Sequence, residues 1–223
     1  MKISSETLTV LKNFVGINNN IEFKKGNKLA TMAPTKTILA KATIKDEFPK
    51  DFCIYDLNQF LSIYSVNKDC EIDFDEKHVI FKSNKSKTWY RTAAKTAIVT
   101  APEKELNIPS VDVSFTFKSD DLASVLKNAS LLQSPHIAFE SDGDAINVTT
   151  FNADDDSAHI NATEIAEGNG KSFKAVFMTD NLKLMSNTYE VEISSKGLAS
   201  FKSEDGSMQY WIAIEAKHSK FGE

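Results

Sequence analysis

The tetrapeptide VLKN occurs twice in this chain of 223 residues, at Val10–Asn13 and at Val125–Asn128. Each copy lies in an amphipathic stretch that opens with a serine, Ser4 in one and Ser119 in the other. The first turn of a helix leaves amide groups unpaired, and a serine hydroxyl at the cap accepts one of them. A repeat constrains the fold more than any single motif, because each half must bury a similar apolar pattern.

The match continues in order along the chain. Strand-like segments Ile21–Lys25, Lys28–Ala33 and Ile38–Ile44 follow the first helix, and His136–Glu140, Ile146–Phe151 and Ala158–Ile165 follow the second. Asn27 and the Asp142–Asp144 stretch around Gly143 supply turn residues between them. FCIYDLNQFLSIYS (Phe52–Ser65) then aligns with VFMTDNLKLMS (Val176–Ser186). Each begins as a strand and reaches an aspartate, Asp56 or Asp180. Large apolar residues follow four and five positions on: Phe60 and Leu61, or Leu184 and Met185. An aspartate cap followed by apolar residues at helical spacing predicts a second short helix in each half. EIDFDE at Glu71–Glu76 pairs with EVEISS at Glu190–Ser195, and the two FKS runs at Phe81–Ser83 and Phe201–Ser203 pair likewise. KTWYRTAA at Lys87–Ala94 pairs with QYWIAIEA at Gln209–Ala216. The offset between copies drifts only from about 115 to about 124 residues.

The predicted class is therefore α+β. Two similar domains, 1–98 and 113–223, each carry two helices on antiparallel sheet. An extended connector, 99–112, joins them; its Pro102 and Pro109 cannot sit inside a central strand.

Helical spacing puts Leu8, Leu11 and Val15 on one face of the first helix, with Val10 and Phe14 beside them. Lys2, Ser5, Thr9 and Lys12 fall opposite. On the matching helix, Leu122, Val125, Leu126 and Ala129 form the apolar face, and Asp120, Ser124 and Lys127 fall opposite. Lys12 and Lys127 hold equivalent positions in the repeat.

The net charge is −5, and among 26 basic residues only Arg91 is arginine. Reading guanine edges is mainly an arginine task, so sequence-specific DNA readout is disfavoured. Cys53 and Cys70 lack metal-ligand or redox spacing and read as reduced thiols. The opening MKISSETLTVLKNF interleaves polar with apolar residues, unlike a signal peptide, and no apolar run reaches 18 residues. These features point to a cytoplasmic protein with no membrane association. His78, His136, His159 and His218 are scattered and none has a helical i+4 partner. Asp154–Asp156 lacks the ligand spacing of a calcium loop. No metal, cofactor or catalytic residue is expected.

The collinear helix–sheet–helix–sheet repeat resembles the DNA sliding clamps, and more closely those of T-even-type bacteriophages. The resemblance is carried by MKISSETLTVLKNF, by IYDLNQFLSIYS at Ile54–Ser65 and by YWIAIEA at Tyr210–Ala216. It implies a non-catalytic processivity factor: a homotrimer whose twelve helices line a hole around double-stranded DNA, with the sheets outside. DNA-facing lysines would be Lys2, Lys12, Lys68, Lys118, Lys127 and Lys183. The subunit interface would pair the last strand of domain one (Thr96, Ala97, Ile98, Val99) with the fourth strand of domain two next door (Ala158, Ile160, Ala162). Ile108, Pro109 and Val111 would rim a pocket for the C-terminal peptide of the DNA polymerase. Further implied partners are an ATP-driven clamp loader and, in viral late transcription, a sigma-like factor and co-activator. Two other classes stay open on the residues alone. One is a small hydrolase or transferase using carboxylates such as Asp56 or Asp180; the other is a structural scaffold.

Overall fold

The computed structural model describes residues 1–67, 70–168 and 170–222. The chain divides into two compact units, Met1–Glu103 and Lys104–Glu223.

In the first unit, helix α1 (Ser5–Val15) precedes strands β1 (Ile21–Phe23), β2 (Gly26–Met32), β3 (Ile38–Phe48) and β4 (Phe52–Ile54). Helix α2 (Leu57–Val66) follows, then β5 (Glu71–Phe74), β6 (His78–Lys82) and β7 (Lys87–Arg91). Strands run antiparallel in the orders β4-β1-β2-β3 and β5-β6-β7. Helix α1 buries Thr7, Leu11 and Phe14, while Leu8 and Val15 are only half-buried. The buried stripe is thus turned slightly from the predicted one. Helix α2 buries Leu57, Phe60 and Leu61. Phe60 stands 5.0 Å from Phe81 and 5.8 Å from Tyr90 between ring centroids, and Phe23 stacks on Phe52 at 4.5 Å. Rings of this size contribute most of the apolar area that a small domain removes from water.

In the second unit, β8 (Val113–Lys118) leads into α3 (Ser119–Leu132), followed by β9 (His136–Ser141), β10 (Ala145–Phe151), β11 (Asn161–Glu167) and β12 (Phe173–Met178). After a 3-10 turn at Thr179–Asn181 come β13 (Thr188–Ser194), β14 (Leu198–Ser203), β15 (Met208–Ala213) and β16 (Lys220–Phe221). The order β11-β10-β9-β12 mirrors β3-β2-β1-β4, and β13-β14-β15 mirrors β5-β6-β7. The two halves therefore share one topology, as the repeat predicts. Phe117, Phe139, Phe177 and Phe201 form the aromatic core here, with Tyr189 and Tyr210 beside them, all with essentially no exposure.

Four details differ from the sequence expectation. The second helix predicted after Asp180 is only the 3-10 turn Thr179–Asn181. A ten-residue helix like α2 does not fit the residues 181–187 that remain before β13. Thr96 and Ala97 lie in a 3-10 turn, Lys95–Ala97, and Ile98 follows as its cap, so the last strand of the first unit is β7, not Thr96–Val99. Asn27 lies inside β2 at a register shift between Gly26 and Lys28, not in a turn. Helix α3 starts at Ser119 with Lys118 in the cap position and no side-chain cap bond.

Candidate DNA-facing helices and contact edges

The N-terminus of α1 is firmly held. The Ser4 hydroxyl accepts the Thr7 amide at 3.3 Å and donates to Asp46 on β3 at 2.8 Å, while the Ser4 amide donates to the same carboxylate oxygen at 2.8 Å. Burial pushes the Asp46 carboxyl up, but hydrogen bonding from Thr7 and Ser4 outweighs it and leaves the group below the usual range. This anchoring fixes the helix on the sheet and so fixes where its polar face points.

Lys2 and Lys12 are both exposed and line one groove of about 320 Å³ between α1 and α2, with Leu8, Leu61, Tyr64 and Cys70 among its walls. On α3, Leu122, Val125 and Ala129 are buried and Lys127 is exposed. Lys118 is exposed at the junction of β8 and α3. Lys183 follows the 3-10 turn and lies 3.9 Å from Asp180. The structure thus brings Lys2 and Lys12 together and puts Lys12 and Lys127 on the solvent faces of matching helices; Lys68 lies outside the described residues. Helix α2 offers Asn58, Gln59 and Ser62 to solvent, polar but uncharged.

Strands β7 and β11 each end a sheet. On β7 the exposed side chains are Lys87, Trp89 and Arg91; on β11 they are Ala162, Glu164 and Glu167. Trp89 is 54% exposed and Ile160, one residue before β11, is 66% exposed. Ala158 and Ile160 precede the strand instead of belonging to it, and Ala162 lies within it. Trp89 is a large exposed edge side chain that the sequence reading did not single out. The alternation of KTWYR marks a strand but not that this strand ends a sheet.

Ile108 is half-buried, and Pro109 and Val111 are exposed. None of the three lines the open groove of about 490 Å³ in the first unit, which Met32, Lys36, Lys95, Thr100, Ala101 and Pro102 border with Glu103. The start of the predicted connector lines a groove; its later part does not reach it.

Asp56 is a helix cap: its side chain accepts the Gln59 amide at 2.8 Å. Asp180 is 96% exposed at its side chain and makes no cap bond. The Asp56 carboxylate is thus engaged in capping α2, and Asp180 has Lys183 as its ion-pair partner at 3.9 Å. The histidines are less scattered than the sequence suggested. His136 and His218, far apart in the chain, come within 5.5 Å between ring centroids, with Asp154 beside them.

The structure is a repeated unit of helix on antiparallel sheet, with lysines on the exposed helix faces and strands β7 and β11 at sheet edges. Comparison with known proteins gives its class. The family model described as DNA polymerase processivity factor matches residues 4–100. The sliding clamp of Vibrio phage KVP40 is 32% identical over 223 residues, covering 97% of this chain and 100% of that protein. The sliding clamp of Enterobacteria phage T4 is 33% identical over 224 residues, covering 97% of each. Among solved structures, PCNA from Thermococcus kodakaraensis superposes with a TM-score of 0.68 at 13% identity, covering 96% of this chain and 98% of that one. A. fulgidus PCNA with the C-terminal region of FEN-1 bound gives 0.66 at 16% identity, covering 93% and 94%. The last two share the fold. The chain belongs to the sliding-clamp family of DNA polymerase processivity factors. Among the described residues, no helix is long and apolar enough to cross a membrane.

Proposed function

We propose that three copies of this chain close head to tail into a non-catalytic ring around double-stranded DNA and tether the replicative DNA polymerase to its template. The observation that carries this reading is the opposite character of edge strands β7 and β11, two of the six strands that end a sheet among the described residues. Strand β7 presents Lys87 and Arg91, and β11 presents Glu164 and Glu167. Pairing β7 with β7, or β11 with β11, would set like charges opposite each other; β7 against a neighbour's β11 sets cation against anion. Trp89 then has Ile160 and Ala162 as apolar partners. Such a contact uses two different patches, so it closes only as a ring or runs on as a filament. The phage relatives are named sliding clamps, and a protein that clamps DNA while sliding needs the closed form. The interface proposed here moves from Thr96, Ala97, Ile98 and Val99 to β7, and keeps Ala162 and Ile160 on the other side.

Inside the ring, Lys12 and Lys127, with Lys2, Lys118 and Lys183, would face the phosphates. Lysine is a mobile point charge, which suits contact that must not fix register on any sequence. A. fulgidus PCNA holds a C-terminal segment of another protein. By the same logic, the C-terminal peptide of the polymerase would dock on this chain in the groove that Met32, Ala101 and Pro102 border; Ile108, Pro109 and Val111 stay a rim by resemblance alone. An ATP-driven clamp loader would open the ring, in the cytoplasm of the host cell. A role in viral late transcription, with a sigma-like factor and co-activator, follows from the phage resemblance alone.

The test is topological. Loaded with clamp loader and ATP on nicked circular DNA, the protein should stay bound through a salt wash and be lost when the circle is linearised. Equal retention on both forms, or none on either, overturns the reading.

A further inference from the structure

We propose that His136, Asp154 and His218 form a binding site for a divalent transition-metal ion of the zinc class. One ligand atom from each lies within 4.8 Å of the other two. Zinc bonds imidazole nitrogen and carboxylate oxygen at about 2.0–2.2 Å, so ligand atoms around it sit about 3.5 Å apart, and a modest closure completes the site. Two imidazoles and one carboxylate suit zinc, cobalt or nickel, whereas magnesium and calcium take oxygen ligands.

Two of the three ligands stand on fixed supports. His136 is buried at the start of β9, paired with Phe151 on one side and Met178 on the other. His218 lies in a turn in which its amide and that of Ser219 both donate to the Glu215 carbonyl at 3.1 Å. That turn is pinned to β12. The Val176 amide donates to the Ser219 hydroxyl at 2.9 Å, and the Glu215 amide donates to the Val176 carbonyl at 2.8 Å. Asp154 lies in the exposed turn between β10 and β11 and is the ligand free to adjust.

Two contacts compete with the ion. Lys217 Nζ lies 3.9 Å from the Asp154 carboxylate, and at 80% exposure it can swing away. The Ala153 amide donates to His136 Nδ1 at 3.1 Å, which places the proton of the neutral ring on Nε2. An ion at Nε2 would move that proton to Nδ1, and an ion at Nδ1 would displace the amide. Either way the Ala153 hydrogen bond is exchanged for a metal bond. The bound ion would join the C-terminal turn to the loop that leads into β11, and the site stands whether or not β11 forms a subunit contact.

The probe is zinc chloride added to the full chain in a buffer free of phosphate and chelator, with cobalt as a spectroscopic substitute. Calorimetry should give one zinc per chain, and magnesium at the same concentration no heat. Cobalt should show visible bands of nitrogen and oxygen ligation without thiolate charge transfer, since Cys53 and Cys70 are buried. Hydrogen exchange at the Ala153 amide should accelerate when zinc is added. The double variant Asp154→Asn, His218→Gln changes only an exposed and a half-exposed residue, and should lose zinc binding at unchanged stability. No zinc binding by the parent, or equal binding by the double variant, overturns the proposal. So does an Ala153 amide that zinc leaves unchanged.

Discussion

The two halves of the repeat part company after their matching aspartates. In the first, Asp56 accepts the Gln59 amide, and Asn19 supports the same helix end. The Asn19 side chain accepts the Asn58 amide at 3.0 Å, and its backbone carbonyl accepts the Leu57 amide at 2.7 Å. A fully satisfied N-terminus and enough chain before β5 give helix α2. In the second half, Asp180 points to solvent and the chain reaches β13 too soon. Residues after the 3-10 turn are instead held by two tyrosines: Tyr189 donates to the Met185 carbonyl at 2.7 Å, and Tyr210 accepts the Met185 amide at 3.3 Å. Burial pushes both phenols far above their ordinary range, so they remain neutral bonding groups at any working pH. The same apolar signature thus yields a helix where the cap is bonded and the chain is long enough, and a tethered loop where neither holds.

The largest expected effect breaks that comparison in the core. Phe60→Ala should cost about 3–5 kcal/mol in urea unfolding, because the ring is fully buried against Phe81 and Tyr90. Leu184→Ala, its repeat counterpart on a half-buried loop, should cost about 1 kcal/mol. Equal costs would mean that the second half packs like the first. At the cap, Asp56→Ala should destabilise by about 1 kcal/mol and Asp180→Ala by less than about 0.5 kcal/mol, read from the same unfolding curves. Lys12 and Lys127 mark where the halves stay alike. Each replacement by alanine should lower the log–log salt slope of equilibrium affinity for a short linear duplex by about 0.9 for every phosphate that the lysine neutralises, and by similar amounts at the two positions. A change at only one of them would make the lining one-sided.

The smallest effect concerns pH and the start of the first helices. Helix α1 is tied to Asp46, whereas α3 has no side-chain cap and carries Asp120 and Asp121 in its first turn. The carboxyl of Asp46 is depressed in the folded protein. Its stabilisation is complete above the unfolded value of about 3.9 and is lost as pH falls through the lower folded one. The stability gap between parent and Asp46→Asn should therefore be constant from pH 7 to about 5 and shrink below about 4.

Much of the fold was legible because a repeat checks itself. Helices α1 and α3 and the matched strands were each supported by a counterpart. The errors fall where the halves diverge: the missing helix after Asp180, the last strand of the first unit, and the bulge at Asn27. Burial of Thr7 was invisible in a pattern that scores it polar, although the hydroxyl is satisfied beside Ser4 and Asp46. Lysine faces could be read from helical spacing. The edge residues Trp89 and Glu164 could not, since which strand ends a sheet depends on pairings distant in sequence. The same distance hid the approach of His136 to His218.

Closure through β7 and β11 is tested most directly by native mass spectrometry of the parent and of Trp89→Glu. The parent should appear at three times the 24.8 kDa chain mass, and the variant, with a carboxylate placed against Glu164 and Glu167, as monomer. A parent that is monomeric at every concentration, or a variant that still forms trimers as readily as the parent, would contradict it.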